Sequence, residues 1–217
     1  AAGLCYGYMA ASWGGHIFPI NVVGAHVALL MLTGYRSAGL YRAYSLFFIV
    51  GTAVAIRVPP VGWSPLRSLE QLGPFGVFLA LQLLQLRRAL NQRGLSERSS
   101  VGLAFGLPGA AAALGLAYLV GQGFFIPLSG RVSALFLSSA TQTGNPLVDS
   151  VAEHQPRGND AYWNSLHQAC YVAPFGLPSL LIRGTWPTEA ALFLVMLALI
   201  TNFFWLRMAR LVLLMAP

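Results

Sequence analysis

Six apolar runs dominate the chain: residues 17–34, 40–57, 72–86, 101–121, 163–182 and 190–216. Five are near the ~20 residues that a helix needs to cross the hydrocarbon core of a bilayer, and the third is shorter. Inside lipid there is no water to satisfy a backbone N–H or C=O, so an open strand would leave its polar groups unpaired. The runs therefore predict an all-α fold, a polytopic transmembrane helix bundle with one span per run. Composition agrees. Charged residues make up 9% of the chain and hydrophobic ones 56%, whereas a soluble domain carries about 25% charged residues. That is too few charges to cover a water-facing surface.

All thirteen basic residues are arginine, and the formal net charge is +7. They sit mostly in short connections between apolar runs, with no stripe of alternating basic and aromatic residues, so nucleic acid is not an expected partner. Membrane orientation accounts for them better, because positive residues gather in cytosolic loops. With six spans, Arg36 and Arg42, then Arg87, Arg88, Arg93 and Arg98, then Arg183 fall on one side, which is predicted to be cytosolic. The opposite side receives residues 13–16, 59–71 and 122–162 and the end of the last run. Arg57, Arg67, Arg131 and Arg157 also lie there, which weakens the bias.

The connection 122–162 is the longest. Loops beyond ~12–15 residues in a compact fold are usually functional or disordered. It holds Asp149, Glu153 and Asp160, three of the six acidic residues, together with His154, Gln155, Arg131 and Arg157. The polar chemistry of the chain is thus concentrated on its predicted non-cytosolic face.

Smaller features speak to packing. Gly102-x-x-x-Gly106, followed by Gly109, Ala110 to Ala113 and Gly115, has the small-residue spacing that lets helices approach closely. Pro108 in the same run predicts a kink. Cys5 and Cys170 lie in or beside apolar runs and read as packed thiols rather than a disulfide. His16, His26 and His167 read as packed or hydrogen-bonded helix residues. No Cys/His cluster has metal-ligand spacing. A chain that starts at Ala1 on an apolar stub and stops at Pro217 straight after an apolar run reads as an internal fragment.

The most specific segment is Ser150-Val151-Ala152-Glu153-His154-Gln155-Pro156. It resembles the Ser-Val-Ser-Glu-His-Gln-Pro motif of the catalytic subunit of the eukaryotic oligosaccharyltransferase, departing only at Ala152. The resemblance extends further. Tyr8-Met9-Ala10-Ala11-Ser12-Trp13-Gly14-Gly15 is similar to that family's Tyr-Met-x-x-x-Trp-Gly-Gly block, and the run with Asn21 and His26 is similar to the one that follows it. Pro127-Leu128-Ser129-Gly130-Arg131 resembles the Pro-x-Ser-Gly-Arg opening of the family's lumenal loop. Met208-Ala209-Arg210-Leu211-Val212-Leu213-Leu214-Met215-Ala216-Pro217 resembles its Met-Val-Arg-Leu-x-Leu-x-x-x-Pro segment. These blocks keep the family's order. Residues 132–145 depart strongly, and 91–100 offer no useful comparison.

The resemblance implies en bloc transfer of an oligosaccharide from a dolichyl diphosphate lipid to asparagine in Asn-x-Ser/Thr, at the endoplasmic reticulum membrane. It implies a catalytic Glu153 close to a divalent metal, Mn²⁺ or Mg²⁺, and to the acceptor amide. An amide nitrogen is a poor nucleophile, and a carboxylate that accepts its N–H bonds orients and activates it. A hard cation wants oxygen ligands and holds a diphosphate leaving group. The resemblance also implies that Arg210 grips that diphosphate, for which the planar guanidinium fork is suited. Snorkelling to the interface is the alternative for Arg210. Arg207, three residues earlier on the same helix face, receives no family role. Trp13 is either an interfacial anchor or a wall of the donor site. Implied partners are the lipid-linked donor, an acceptor polypeptide and other oligosaccharyltransferase subunits. The family's acidic metal ligands upstream and its Trp-Trp-Asp-Tyr-Gly motif downstream are absent from 1–217, so this segment alone is expected to be inactive. Another lipid-phosphosugar glycosyltransferase and a polytopic transporter remain as alternatives. Against transport, the polar groups cluster in one external loop and at one helix end rather than at the membrane midplane.

Overall fold

The computed structural model describes residues 1–35, 37–94, 96–127, 163–164, 167–168, 172, 175–176, 178 and 189–207. The chain divides into two compact units, Ala1–Leu128 and Ser129–Pro217. Regular structure among the described residues is helical: α1 (Ala2–Ser12), a 3-10 turn (Gly14–His16), α2 (Ile17–Leu32), α3 (Ala38–Ala55), the short α4 (Ser64–Arg67), α5 (Leu72–Gln92), α6 (Glu97–Val101), a π-helical turn (Gly102–Gly106), α7 (Leu107–Gly121) and α8 (Glu189–Arg207). Helix α8 belongs to the second unit, and the other elements named here belong to the first.

Among the described residues, three helical stretches are long and apolar enough to cross a membrane: Gly14–Leu32, Ala38–Ala55 and Glu97–Gly121. They match the first, second and fourth apolar runs. The third run proves longer than its hydropathy indicates. Helix α5 extends to Gln92 and has 21 residues, about 30 Å of rise, but its polar residues keep it out of that apolar class. Its Gln82 is turned inward and paired: Tyr41 donates to Gln82 Oε1 at 2.8 Å, and Gln82 Nε2 donates to Ser45 Oγ at 2.9 Å. The Tyr44 hydroxyl donates to the Pro74 carbonyl at 2.9 Å. Phe48 stacks on Phe75 and Phe78. These contacts make α3 and α5 antiparallel neighbours.

Helix α1 packs in parallel against α3 through glycine. A Cβ on Gly3 would sit 3.0 Å from the Phe47 carbonyl oxygen, and one on Gly7 would run into Val54. Tyr6 fills the notch above Gly51. This is the close helix approach that the sequence suggested for Gly102 and Gly106. Those two glycines, with Gly109 and Gly115, instead have no described residue within 4 Å of a built Cβ, and no residue of α7 is buried. Lipid is as apolar as a leucine side chain, so an unburied apolar helix costs nothing in a bilayer. Cys5 is a free thiol on the exposed side of α1, not a packed one; Cys170 lies outside the described residues.

The kink expected at Pro108 takes the form of the π turn. Proline clashes with the carbonyl four residues back, here Ala104. Widening the helix over Gly102–Gly106 accommodates this, and Leu107 N–H reaches back five residues to the Gly102 carbonyl.

Candidate functional site at the loop-bearing end of the helices

The predicted non-cytosolic segments 13–16, 59–71 and 122–127 lie at one end of the first unit, and side chains that bond to backbone tie the second of them to α2 and to the third. Asn21, in the second turn of α2, donates through Nδ2 to the Ile17 carbonyl at 2.8 Å and to the Glu70 carbonyl at 2.8 Å. The second bond ties the connection before α5 to α2. Within that connection, Ser68 Oγ accepts from Glu70 N–H at 3.3 Å.

Arg67, the last residue of α4, reaches across 57 residues. Its Nε donates to the Phe124 carbonyl at 3.0 Å, and its guanidinium carbon lies 4.6 Å from the centroid of the Phe124 ring. The backbone joins in: Ile126 N–H donates to the Arg67 carbonyl at 2.9 Å, and Leu69 N–H donates to the Ile126 carbonyl at 3.2 Å. Ser68 and Ile126 thereby form a single parallel bridge. Phe124 is delivered to this place by the way α7 ends. Gly123 adopts φ +63°, a conformation that a side chain disfavours. Gly123 N–H then bonds to the Val120 carbonyl and Phe124 N–H to the Leu119 carbonyl, both at 3.0 Å. This paired stop is how a left-handed residue closes a helix.

At the α1–α2 turn, Trp13 is extended (φ −145°, ψ 124°) and its indole folds over Gly15, where a Cβ would collide with the ring. That accounts physically for the second glycine of Trp13-Gly14-Gly15. Trp13 remains 38% exposed. His16 is buried, as the sequence suggested, and its Nδ1 donates to the Trp13 carbonyl at 3.2 Å. Its Nε2, and Oε1 of Gln71, are buried acceptors with no hydrogen-bond partner among the described residues.

Of the predicted site residues, Trp13 alone is described. Ser150, Val151, Ala152, Glu153, His154, Gln155 and Pro156, and likewise Arg210, lie outside the described residues. Among the described residues no group of three His, Cys, Asp or Glu gathers to hold a metal. The sequence did not single out Arg67 or its pairing with Phe124. An arginine that bonds to a main-chain carbonyl far along the chain has no matching charge for a sequence to display.

A family profile described as "Oligosaccharyl transferase STT3, N-terminal" matches residues 1–217. The chain belongs to the STT3 family. Its relatives include the dolichyl-diphosphooligosaccharide–protein glycosyltransferase subunit STT3 of Dictyostelium discoideum, 33% identical over 99% of this chain. The STT3B subunit of the same name from Arabidopsis thaliana is 32% identical over 100% of the chain, and the STT3 subunit of Saccharomyces cerevisiae 28% over 100%. The chain spans 30% of the length of each of these three relatives. An STT3 chain with several membrane-crossing helices is a multi-pass membrane protein, and membership in this family leaves the transporter alternative without support.

Proposed function

We propose that this STT3 chain forms a membrane-embedded part of an oligosaccharyltransferase catalytic subunit that transfers an oligosaccharide from dolichyl diphosphate to asparagine in Asn-x-Ser/Thr. The observation that carries the reading is the Ser150–Pro156 motif, set in the loop 122–162 of a chain that matches the STT3 family throughout. The asparagine amide nitrogen attacks the first sugar carbon and loses a proton. The carbon–oxygen bond to the diphosphate breaks, and dolichyl diphosphate leaves.

Glu153 accepts the amide N–H bonds and aligns the nitrogen for attack. Arg210 bonds to the diphosphate, and Trp13, half exposed at the same end as the loop base, borders the donor. The oxygen donor of Glu153 suits a hard divalent ion, Mg²⁺ or Mn²⁺. Glu153 would supply one carboxylate to such an ion and would need further oxygen ligands beside it. When bound, the ion offsets the charge of the leaving diphosphate. The setting is the endoplasmic reticulum membrane with the loop lumenal, and the partners are the lipid-linked donor, an acceptor polypeptide and further oligosaccharyltransferase subunits, in keeping with the word "subunit" in the relatives' names.

The test uses the full-length polypeptide that contains this chain, in reconstituted membranes with its subunits, a dolichyl-diphosphate-linked oligosaccharide and an Asn-x-Thr peptide. Wild type transfers the glycan. Glu153→Gln keeps the shape and loses the charge, and it lowers turnover by about a hundredfold or more with donor affinity retained. An unchanged rate removes Glu153 from the reaction, and absence of transfer by wild type refutes the reading.

A further inference from the structure

We propose that the end of the first unit where α5 gives way to α6 is a docking surface for anionic phospholipid headgroups, with Arg93 and Arg98 as its main contacts.

The apolar sequence sets the height of this surface. Helix α5 is apolar up to Leu86, apart from the inward-paired Gln82 and its neighbour Gln85, and the stretch Glu97–Gly121 is apolar from Val101 onward. Arg87 and Glu97 bond at 2.6 Å, so the two helices pass from apolar to charged residues at one level. Leu86 is 42% exposed and Leu103 47%, so apolar side chains are open to lipid just inside that level. The polar headgroup layer begins where the hydrocarbon ends, which is the height of the arginines.

The charge there has one sign. Residues 87–98 hold Arg87, Arg88, Arg93 and Arg98 against Glu97, a net charge of +3. Glu97 is engaged by Arg87. Arg93 and Arg98 are exposed, and neither makes an ion pair among the described residues. Both stand on hydrogen-bonded backbone. Arg93 N–H bonds to the Ala89 and Leu90 carbonyls at the end of α5, and Gly94 turns the chain at φ +83°. Arg98 lies in the first turn of α6, where Ser96 Oγ accepts from Ser99 N–H at 3.2 Å. The preference of arginine for cytosolic loops explains which side these residues occupy but not what they touch.

The surroundings favour a headgroup over a protein. Protein interfaces are anchored by buried aromatic and large apolar side chains. The described residues of 91–94 and 96–99 are Asn, Gln, Arg, Gly, Ser and Glu, with no such anchor among them. A phosphate-bearing headgroup needs no shaped apolar face, only cations at its own height. Each basic residue near an anionic membrane surface favours anionic lipid by roughly a factor of five.

The full-length polypeptide that contains this chain, with its subunits, is placed in nanodiscs of phosphatidylcholine. The discs carry equal traces of phosphatidylserine and phosphatidylcholine that bear a photoreactive acyl chain. After illumination, adducts are counted by mass spectrometry around Leu86 and Leu103 and, at the other end of α7, around Leu116 and Val120, all of them exposed. The expected ratio of serine to choline lipid is about fivefold at the first pair and near one at the second. Arg93→Gln with Arg98→Gln brings the first ratio down to the second, and the Arg87–Glu97 pair, left intact, keeps the helices together. Lysine at both positions retains the preference, because a point charge suffices. Raising NaCl from about 0.1 M to about 1 M shortens the screening length from about 10 Å to about 3 Å and abolishes it. Equal ratios at the two ends of wild type overturn the proposal, and so does a preference that survives both glutamines. A preference seen in the isolated polypeptide but lost with its subunits shows that an acidic protein covers the patch, which also overturns it.

Discussion

Gly7→Ala tests how α1 is held. A Cβ at position 7 would lie 2.6 Å from the Cβ of Val54, with a γ-methyl of Val54 nearer still. Carbon atoms in favourable contact are about 3.5–4.0 Å apart, so α1 must move away from α3 by roughly 1 Å. The move also strains the neighbouring contacts at Gly3 and at Tyr6 over Gly51. Overpacking of this kind costs about 1–3 kcal/mol. Against it stands the helix propensity that alanine gains over glycine, about 1 kcal/mol. Gly115→Ala carries the propensity gain alone, since no described residue lies within 4 Å of a Cβ there, so the difference between the two variants isolates the steric part. The expected result is that Gly7→Ala is less stable than Gly115→Ala by about 1–3 kcal/mol, measured by denaturant unfolding in mixed micelles. Adding Val54→Ala to Gly7→Ala removes the collision, so the pair couples favourably. Equal stability of Gly7→Ala and Gly115→Ala, or strict additivity with Val54→Ala, refutes the close approach.

Gln82→Leu strands the Tyr41 and Ser45 hydroxyls. It costs about 1–2 kcal/mol on the water-based scale and nearer 0.6 if the membrane-unfolded state finds other partners; Tyr41→Phe in the same chain recovers part of the loss, and a Gln82→Leu variant as stable as wild type contradicts the inward pairing. In the full-length protein, Arg210→Ala weakens donor binding by about 1.5–3 kcal/mol, the value of one charge-assisted contact, and leaves peptide affinity unchanged. Arg210→Lys does not restore donor binding, because a lysine lacks the bidentate fork; wild-type donor affinity in Arg210→Lys, with Arg207→Lys as the comparison, establishes Arg210 as a snorkelling anchor.

Three spans were legible in the sequence because apolar length alone specifies them, and α2 and α3 fall within two residues of the expected ends. The third run was cut short at Arg87. The helix continues because its ladder does not require apolar side chains, and a long arginine carries its charge away from the axis; Arg87 pairs with Glu97 at 2.6 Å. The identical spacings Gly3-x-x-x-Gly7 and Gly102-x-x-x-Gly106 mark the limit of pattern reading. Among the described residues only the first faces a neighbour shaped to receive it, and that neighbour, α3, lies about fifty residues away. The family motif was legible for the opposite reason. Ser150 to Pro156 is specific in residue order, so its assignment needed no contact geometry.

Arg67 connects these levels. In the sequence it weighed against the proposed orientation, as one of four arginines on the side that should be poor in them. In the structure its guanidinium is held by the Phe124 carbonyl and ring, so its position follows from a local requirement of the fold. An arginine held in this way carries little information about which side is cytosolic. Counting the connections between runs, setting it aside leaves Arg57, Arg131 and Arg157 on the outer side against Arg36, Arg42, Arg87, Arg88, Arg93, Arg98 and Arg183 on the other, and the charge bias of the connections sharpens. The bridge of Ser68 to Ile126 adds a geometric constraint that charge counting lacks. Residues 67–69 and 124–126 must lie at the same end of the helices, so any topology that puts the connection before α5 and the base of the loop 122–162 on opposite faces of a membrane is incompatible with the fold.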